Sequence, residues 1–121
     1  MSDEAWNVRL TAQARSDIRD ILNWTAANFG PEQERVSART VADALFDLGQ
    51  GPRLVGARAR DDIGKGLMTL HVARNKRAGR HFILFRAERR EGHPVIEVLR
   101  LLHDAMDLAQ HIPPDAALDN G

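Results

Sequence analysis

The sequence predicts an α+β fold of order β-α-α-β-β-β, with a helical hairpin packed on a small antiparallel sheet. Three observations predict it. Apolar residues recur at helical spacing in two successive segments, 14–29 and 38–48, separated by Gly30-Pro31. Three later segments, LMTLHV, RHFILFR and PVIEVLRLL, have the composition and length of strands and are joined by short polar turns, as in a meander. The last of these is apolar on both faces, which suits a strand held inside a sheet.

Each element has its own warrant. In Trp6–Leu10, residues Trp6, Val8 and Leu10 alternate with Asn7 and Arg9, the pattern of a half-buried strand near an edge. Thr11 supplies an N-cap hydroxyl for a first helix. Its inward stripe is Ala14, Ile18, Ile21, Leu22, Thr25 and Phe29, Trp24 sits beside the stripe, and Arg15, Asp17, Arg19 and Asp20 fill the solvated side. Pro31 suits the first turn of a second helix, where its missing N–H does no harm. That helix carries Ala38, Val41, Leu45 and Leu48 inward and Glu32 and Glu34 near its positive end, and Gly49, Gly51 and Pro52 stop it. Arg53–Gly66 has three glycines and weak periodicity and reads as a long exposed loop. Strands follow over Leu67–Val72, Arg80–Ala87 and Pro94–Leu102, with RNKRAG and ERREGH as turns, and a short helix is expected over Asp104–Ala109.

A length of 121 residues fits one domain with a single modest core, here 1–112, followed by a tail over 113–121 whose prolines and acids predict flexibility. No apolar run approaches the roughly 20 residues of a membrane span, and the opening MSDEAWN is acidic where a secretory signal is basic and then apolar, so a soluble, cytoplasmic protein is expected. Zero cysteines exclude disulfides, thiolate metal sites and a cysteine nucleophile. The 17 basic and 17 acidic residues cancel overall, yet Arg53–Arg90 holds 11 of the former against 3 of the latter. That imbalance predicts a positive end offered to an acidic partner.

Phosphate-binding glycine motifs, zinc spacings and nucleophile elbows are all missing, and the five histidines form no ligand pattern, so neither metal nor cofactor is expected. His103, at the end of the last strand, together with Arg80 and Arg86 could hold a phosphodiester and move a proton. The plainer role for His103 is a hydrogen bond to Asp107 four residues on. Arg80, Phe82, Leu84 and Arg86 share one parity and form a stripe with charged margins that fits a core-facing strand, while Phe85 shares the other face with His81 and Ile83, and parity alone leaves open which face meets the helices. Arg100 interrupts an apolar strand, so it must pair with a carboxylate such as Glu97, Asp104 or Asp17, or bind an acidic segment.

The segments VRLTAQARSDIRDILNWTAANFG, PRLVG, RHFILFR and VLRLLHDAMDL together resemble the ParE branch of the RelE/ParE toxin superfamily, over nearly all of Val8–Leu108. The residues that carry the likeness are Arg80, Phe85, Arg86, Arg100, His103 and Asp107. The resemblance implies a bacterial toxin of a type II toxin–antitoxin pair, held in a hetero-oligomer by a ParD-like antitoxin. It further implies inhibition of DNA gyrase by binding, without catalysis, cofactor or sequence-specific DNA contact. The RelE-like alternative is a ribosome-dependent mRNA endoribonuclease using His103, Arg80, Arg86 and Glu97. Such nucleases commonly employ a tyrosine, and this chain has none. Antitoxins of the family lay an acidic, partly helical segment over the hairpin and sheet, for which Trp24, Phe46, Arg58, Arg60, Arg74, Arg77, Arg80 and Arg86 are the candidate contacts. A third possibility is a relative that has lost toxicity and keeps only its antitoxin.

Overall fold

The computed structural model describes residues 5–73 and 79–104. The helix expected after Asp104 and the tail 113–121 lie outside them, as do Arg74, Arg77 and Asp107. The elements are β1 (Asn7–Leu10), α1 (Ala12–Phe29), α2 (Pro31–Leu48), β2 (Arg58–Ala59), β3 (Leu67–His71), β4 (His81–Arg90) and β5 (His93–His103). Both helices pack on a five-stranded sheet of order β1-β5-β4-β3-β2. None of the helices among the described residues is long and apolar enough to cross a membrane.

The expected architecture is present, with differences in the sheet and its connections. The sheet is mixed: β1 runs parallel to β5, while β2, β3, β4 and β5 pair antiparallel in sequence. The cause is β5 itself. Val95, Ile96, Val98, Leu99, Leu101 and Leu102 are all buried, and a strand buried on both faces needs a neighbour on each edge, the second of which β1 supplies. Another difference is in the expected loop 53–66, where Arg58 and Ala59 pair with Thr69 and Met68 and Arg60 donates its N–H to the Leu67 carbonyl at 2.8 Å. Those bonds cover part of the β3 edge.

The turn between β4 and β5 is also tighter than the ERREGH segment suggested. The strands run to Arg90 and His93, leaving Glu91 (φ 53°) and Gly92 (φ 84°) as a two-residue loop. Positive φ at both positions is what the right-handed strand twist requires of such a hairpin, and glycine takes the second without strain.

Ala14, Val41, Ala44 and Leu48 of the helices meet Leu70, Ile83, Phe85, Ile96, Val98 and Leu101 of the sheet in the main core. The face that meets the hairpin is thus that of Ile83 and Phe85, and Phe85 is completely buried. Leu84, from the middle of the stripe, lies on the other side of the sheet, where it joins Leu67 and Leu99 in a small cluster with Ile63. The parity of the stripe was sound. Parity leaves the orientation open, since alternation groups residues into faces without saying which face the helices cover.

One contact ties the first helix to the last strand. β1 ends at Leu10, opposite Val98, but β5 continues to His103. Its edge would then present bare backbone groups. Thr11 donates its N–H to the Val98 carbonyl and its hydroxyl to that of Leu99, both at 3.0 Å, while the same hydroxyl accepts the Ala14 N–H as N-cap. One turn later Asp17 Oδ2 accepts the Leu101 N–H at 3.0 Å, and Arg100 binds both carboxylate oxygens at 2.8 and 3.0 Å. Gln13 donates to Oδ1 at 3.2 Å. Asp17, expected on the solvated side of its helix, is therefore buried, and it is the carboxylate that Arg100 requires.

Removing one partner of a buried, fully hydrogen-bonded pair strands the other charge. Arg100→Ala is expected to lower the unfolding free energy by about 3 kcal/mol or more, measured by denaturant titration. Asp17→Asn, which keeps an oxygen for Leu101, should lose less. An unchanged unfolding midpoint in Arg100→Ala would show that the pair does not hold the edge.

Candidate functional site

The hairpin and the sheet diverge at one end, leaving a groove of about 750 Å³. Asp20, Ile21, Trp24, Thr25 and Phe29 come from α1, Gln33, Ser37, Thr40 and Val41 from α2, and Val72, Gly79, Arg80, His81 and His103 from the sheet end. The tight link between the helices fixes its mouth. Gly30 (φ 92°) ends α1 by donating its N–H to the Ala26 carbonyl and starts α2 by accepting the Glu34 N–H. A side chain at that φ would be strained. Just before this link, the Trp24 and Phe29 rings meet edge to face with centroids 5.6 Å apart. They are 60% and 65% exposed, so Phe29, read from sequence as part of the inward stripe, lies on the surface. The physical reason is that it is the last residue of α1, beyond the reach of the sheet.

At the far side of the groove the walls become titratable. His81 and His103 are cross-strand neighbours whose rings meet edge to face at 5.4 Å. Asp104, just past β5, accepts from His71 Nε2 at 3.0 Å and from Arg80 Nε at 3.4 Å, and stands 3.6 Å from His103 Nδ1. His71 Nδ1 in turn accepts the Ala73 N–H at 3.0 Å, so the proton of its neutral ring sits on Nε2. The hydrogen bond from His71 does most to hold Asp104 below the usual carboxylate range; burial opposes it, and Arg80 and His103 add to the lowering. Burial first, then the neighbouring His103, pushes His81 below the usual imidazole range, while Asp104 pulls the other way.

The residues read from sequence as one catalytic set occupy two places. Arg80 and His103 line the groove. Arg86 and Glu97 lie toward the β4–β5 turn, bound to each other at 2.8 Å and joined by Glu88 and Arg90, whose Nη2 is 3.0 Å from Glu97. Glu97 and His103 are separated along β5 by roughly 20 Å at ~3.3 Å per residue. A single proton-transfer site cannot span that distance.

Of the positive end expected from the sequence, Arg74, Lys76 and Arg77 lie outside the described residues. Arg80 precedes β4 while Arg89 and Arg90 end it, roughly 30 Å away at ~3.3 Å per residue. Arg60, Arg80, Arg86 and Arg90 each meet a carboxylate. A long strand separates basic residues that are close in sequence, and cross-strand neighbours neutralise them. Of the other candidate contacts, Phe46 is 83% exposed on α2, apart from the groove lining, and Arg58 is exposed on β2. Sequence reasoning passed over Phe29, His71 and His81 as parts of a site. His71 and His81 lie far from Asp104 in sequence, and only the strand register brings the three together. Among the described residues no group of three or more His, Cys, Asp or Glu could hold a metal ion.

A family model described as the ParE toxin of the type II toxin–antitoxin system, parDE, matches residues 8–108. Among solved structures the chain is similar to the chromosomal ParDE toxin–antitoxin system from P. aeruginosa, at 17% identity and a TM-score of 0.57, covering 82% of this chain and 96% of that one. It is also similar to the toxin–antitoxin complex RelBE2 from Mycobacterium tuberculosis, at 25% identity and a TM-score of 0.56, with 87% and 98% covered. No curated protein matches it in sequence.

The depressed His81 gives the groove a signature in stability. The unfolded chain binds its proton near the ordinary value of about 6.5, the folded chain only below that. The unfolded state thus holds more protons in that window, and stability present above it is lost as pH falls through it. Unfolding midpoints between about pH 7.5 and about pH 5.5 are expected to fall more steeply for the native chain than for His81→Gln. Equal slopes would exclude His81 as the source.

Proposed function

The chain belongs to the ParE toxin family of type II toxin–antitoxin systems, and on that premise we propose that it inhibits DNA gyrase by binding and is neutralised by a ParD-like antitoxin. The observation that carries the reading is the contrast between the two regions just described. The groove offers an apolar, open surface with two exposed aromatic rings at its mouth, the type of anchor on which binding energy concentrates. Arg86 and Glu97, half of the set a nuclease would draw on, neutralise each other instead of facing His103. Inhibition by binding needs a complementary surface and no proton transfer.

The antitoxin side of the proposal rests on the same groove. An antitoxin segment laid along the hairpin would bury Trp24 and Phe29 and reach Arg80 at the sheet end. Phe46 on the outer face of α2, Arg58 and Arg60 near β2, and Arg86 on the opposite sheet face are then outlying contacts. Arg74 and Arg77, between β3 and β4, complete the set proposed from the sequence. The solved relatives that share this fold come from a ParDE system and a RelBE2 complex, which supports a protein partner.

Adding the purified chain to a gyrase supercoiling reaction and to a translating extract tests the target. Supercoiling should stop while mRNA stays intact, and His103→Ala should remain as inhibitory as the native chain. Cleaved mRNA, with activity lost in His103→Ala, would instead establish the nuclease reading; no effect in either reaction would point to a chain that retains only its antitoxin. Trp24→Ala is expected to weaken antitoxin binding by about tenfold or more, the loss typical of an aromatic anchor, measured by calorimetry.

A further inference from the structure

We propose that Thr40, the most buried member of a polar stripe on α2, hydrogen-bonds an uncharged polar side chain of the bound antitoxin segment and so helps to select that segment. This rests on the groove being the antitoxin site, and it specifies the partner's chemistry there: apolar side chains along one edge and an amide or hydroxyl on the other.

The two helices give the groove unlike walls. α1 brings the apolar Ile21, Trp24 and Phe29 beside Asp20 and Thr25, whereas α2 brings Gln33, Ser37 and Thr40 beside Val41. Positions 33, 37 and 40 follow the four- and three-residue steps of a helix, so their side chains share one face of α2. Exposure falls along that stripe, from Gln33 on the surface through a half-buried Ser37 to Thr40 at 7%. A Cβ on Gly79 would stand 3.6 Å from the Thr40 methyl. Thr40 thus sits where α2 closes on the sheet end.

The buried hydroxyls of the two walls differ in what they bond. Thr25 donates its hydroxyl to the Ile21 carbonyl at 2.8 Å, within its own helix. Thr40 makes no side-chain hydrogen bond among the described residues, and neither do Gln33 and Ser37. Solvent can serve these groups while the groove is open. A segment laid over Thr40 excludes that solvent, and an apolar side chain placed there would strand the hydroxyl. An amide or hydroxyl on the segment replaces the lost bond. A carboxylate or ammonium would carry a full charge to a depth where one hydroxyl cannot compensate it, so the matching group is uncharged. Because a polar group left unpaired costs more than a made bond gains, this single contact discriminates between segments out of proportion to its area.

Calorimetry tests this on the full chain, with the protein encoded by the reading frame adjacent to its gene as the probe. Thr40→Val keeps the shape and removes the hydroxyl. It should weaken the complex by about tenfold, the loss expected when a partner's polar group is left unpaired, while the thermal unfolding midpoint of the free chain holds or rises. Thr40→Ser keeps the hydroxyl and loses the methyl. It should bind within about threefold of the native chain although its midpoint falls. A packing role alone gives the reverse order. Ser37→Ala should cost about threefold, the smaller loss of a half-buried group. If Thr40→Val does not fold, Thr40→Ala takes its place in the comparison with Thr40→Ser. Native affinity in Thr40→Val would overturn the proposal, as would a greater loss in Thr40→Ser than in Thr40→Val. A complex weakened by Trp24→Ala but not by Thr40→Val refutes this inference alone, whereas a complex weakened by neither, or absence of any complex, refutes the antitoxin reading of the groove and this inference together.

Discussion

The contact between Asp17 and the Arg100–Leu101 segment is the constraint on which the rest of the structure depends. β5 is the apolar centre of the sheet, and its N-terminal half is bordered on both sides by strands. Its C-terminal half loses one border when β1 ends. α1 substitutes for the missing strand, first with Thr11 and then with Asp17, whose carboxylate satisfies a backbone N–H and a guanidinium at once. A charge on Asp17 would be costly at that depth without those donors. The same bonds fix the position of α1 over the sheet, and with it the mouth and wall of the groove.

A single extra residue in β5 completes the site. Counting outward from the Glu91–Gly92 turn, Phe85 faces Val98, but beyond it Leu84 faces Arg100, with Leu99 inserted as a bulge. Without that insertion the count would place Leu102 opposite His81. With it, His103 becomes the neighbour, and the imidazole pair forms at the groove. Bulges commonly re-aim side chains next to functional sites, and this one does so at the cost of one unpaired position.

Much of the architecture was legible because it depends on local periodicity. The hairpin followed from apolar spacing and Gly30-Pro31, and the meander from β-rich runs between turn signals. That Arg100 needed a carboxylate, with Asp17 among three named candidates, followed from the cost of an unpaired charge in an apolar strand. What stayed hidden is what depends on register and on elements distant in sequence: the parallel placement of β1, the face of the sheet the helices cover, the two-residue β2 and the bulge at Leu99. The site suffered most. Charge counting along Arg53–Arg90 ignored the cross-strand carboxylates that pair with Arg80, Arg86 and Arg90, and a helical stripe drawn through Phe29 took no account of where the sheet stops. His103 and Trp24 were singled out correctly as residues of interest, yet the partners that give them a setting, His81 and Phe29, needed the three-dimensional arrangement.

The parallel pairing of β1 with β5 also bears on how this chain comes into being on the ribosome. Thr11 bonds to Leu99 across 88 residues of sequence, so β1 has no strand neighbour until β5 has been made. Long-range closures of this type delay folding until their entropic cost can be met. A product truncated before residue 93 consequently lacks the strand that lies between β1 and β4. Acquisition of a finished surface therefore waits on β5, and copies terminated before it lack the His103 wall of the groove.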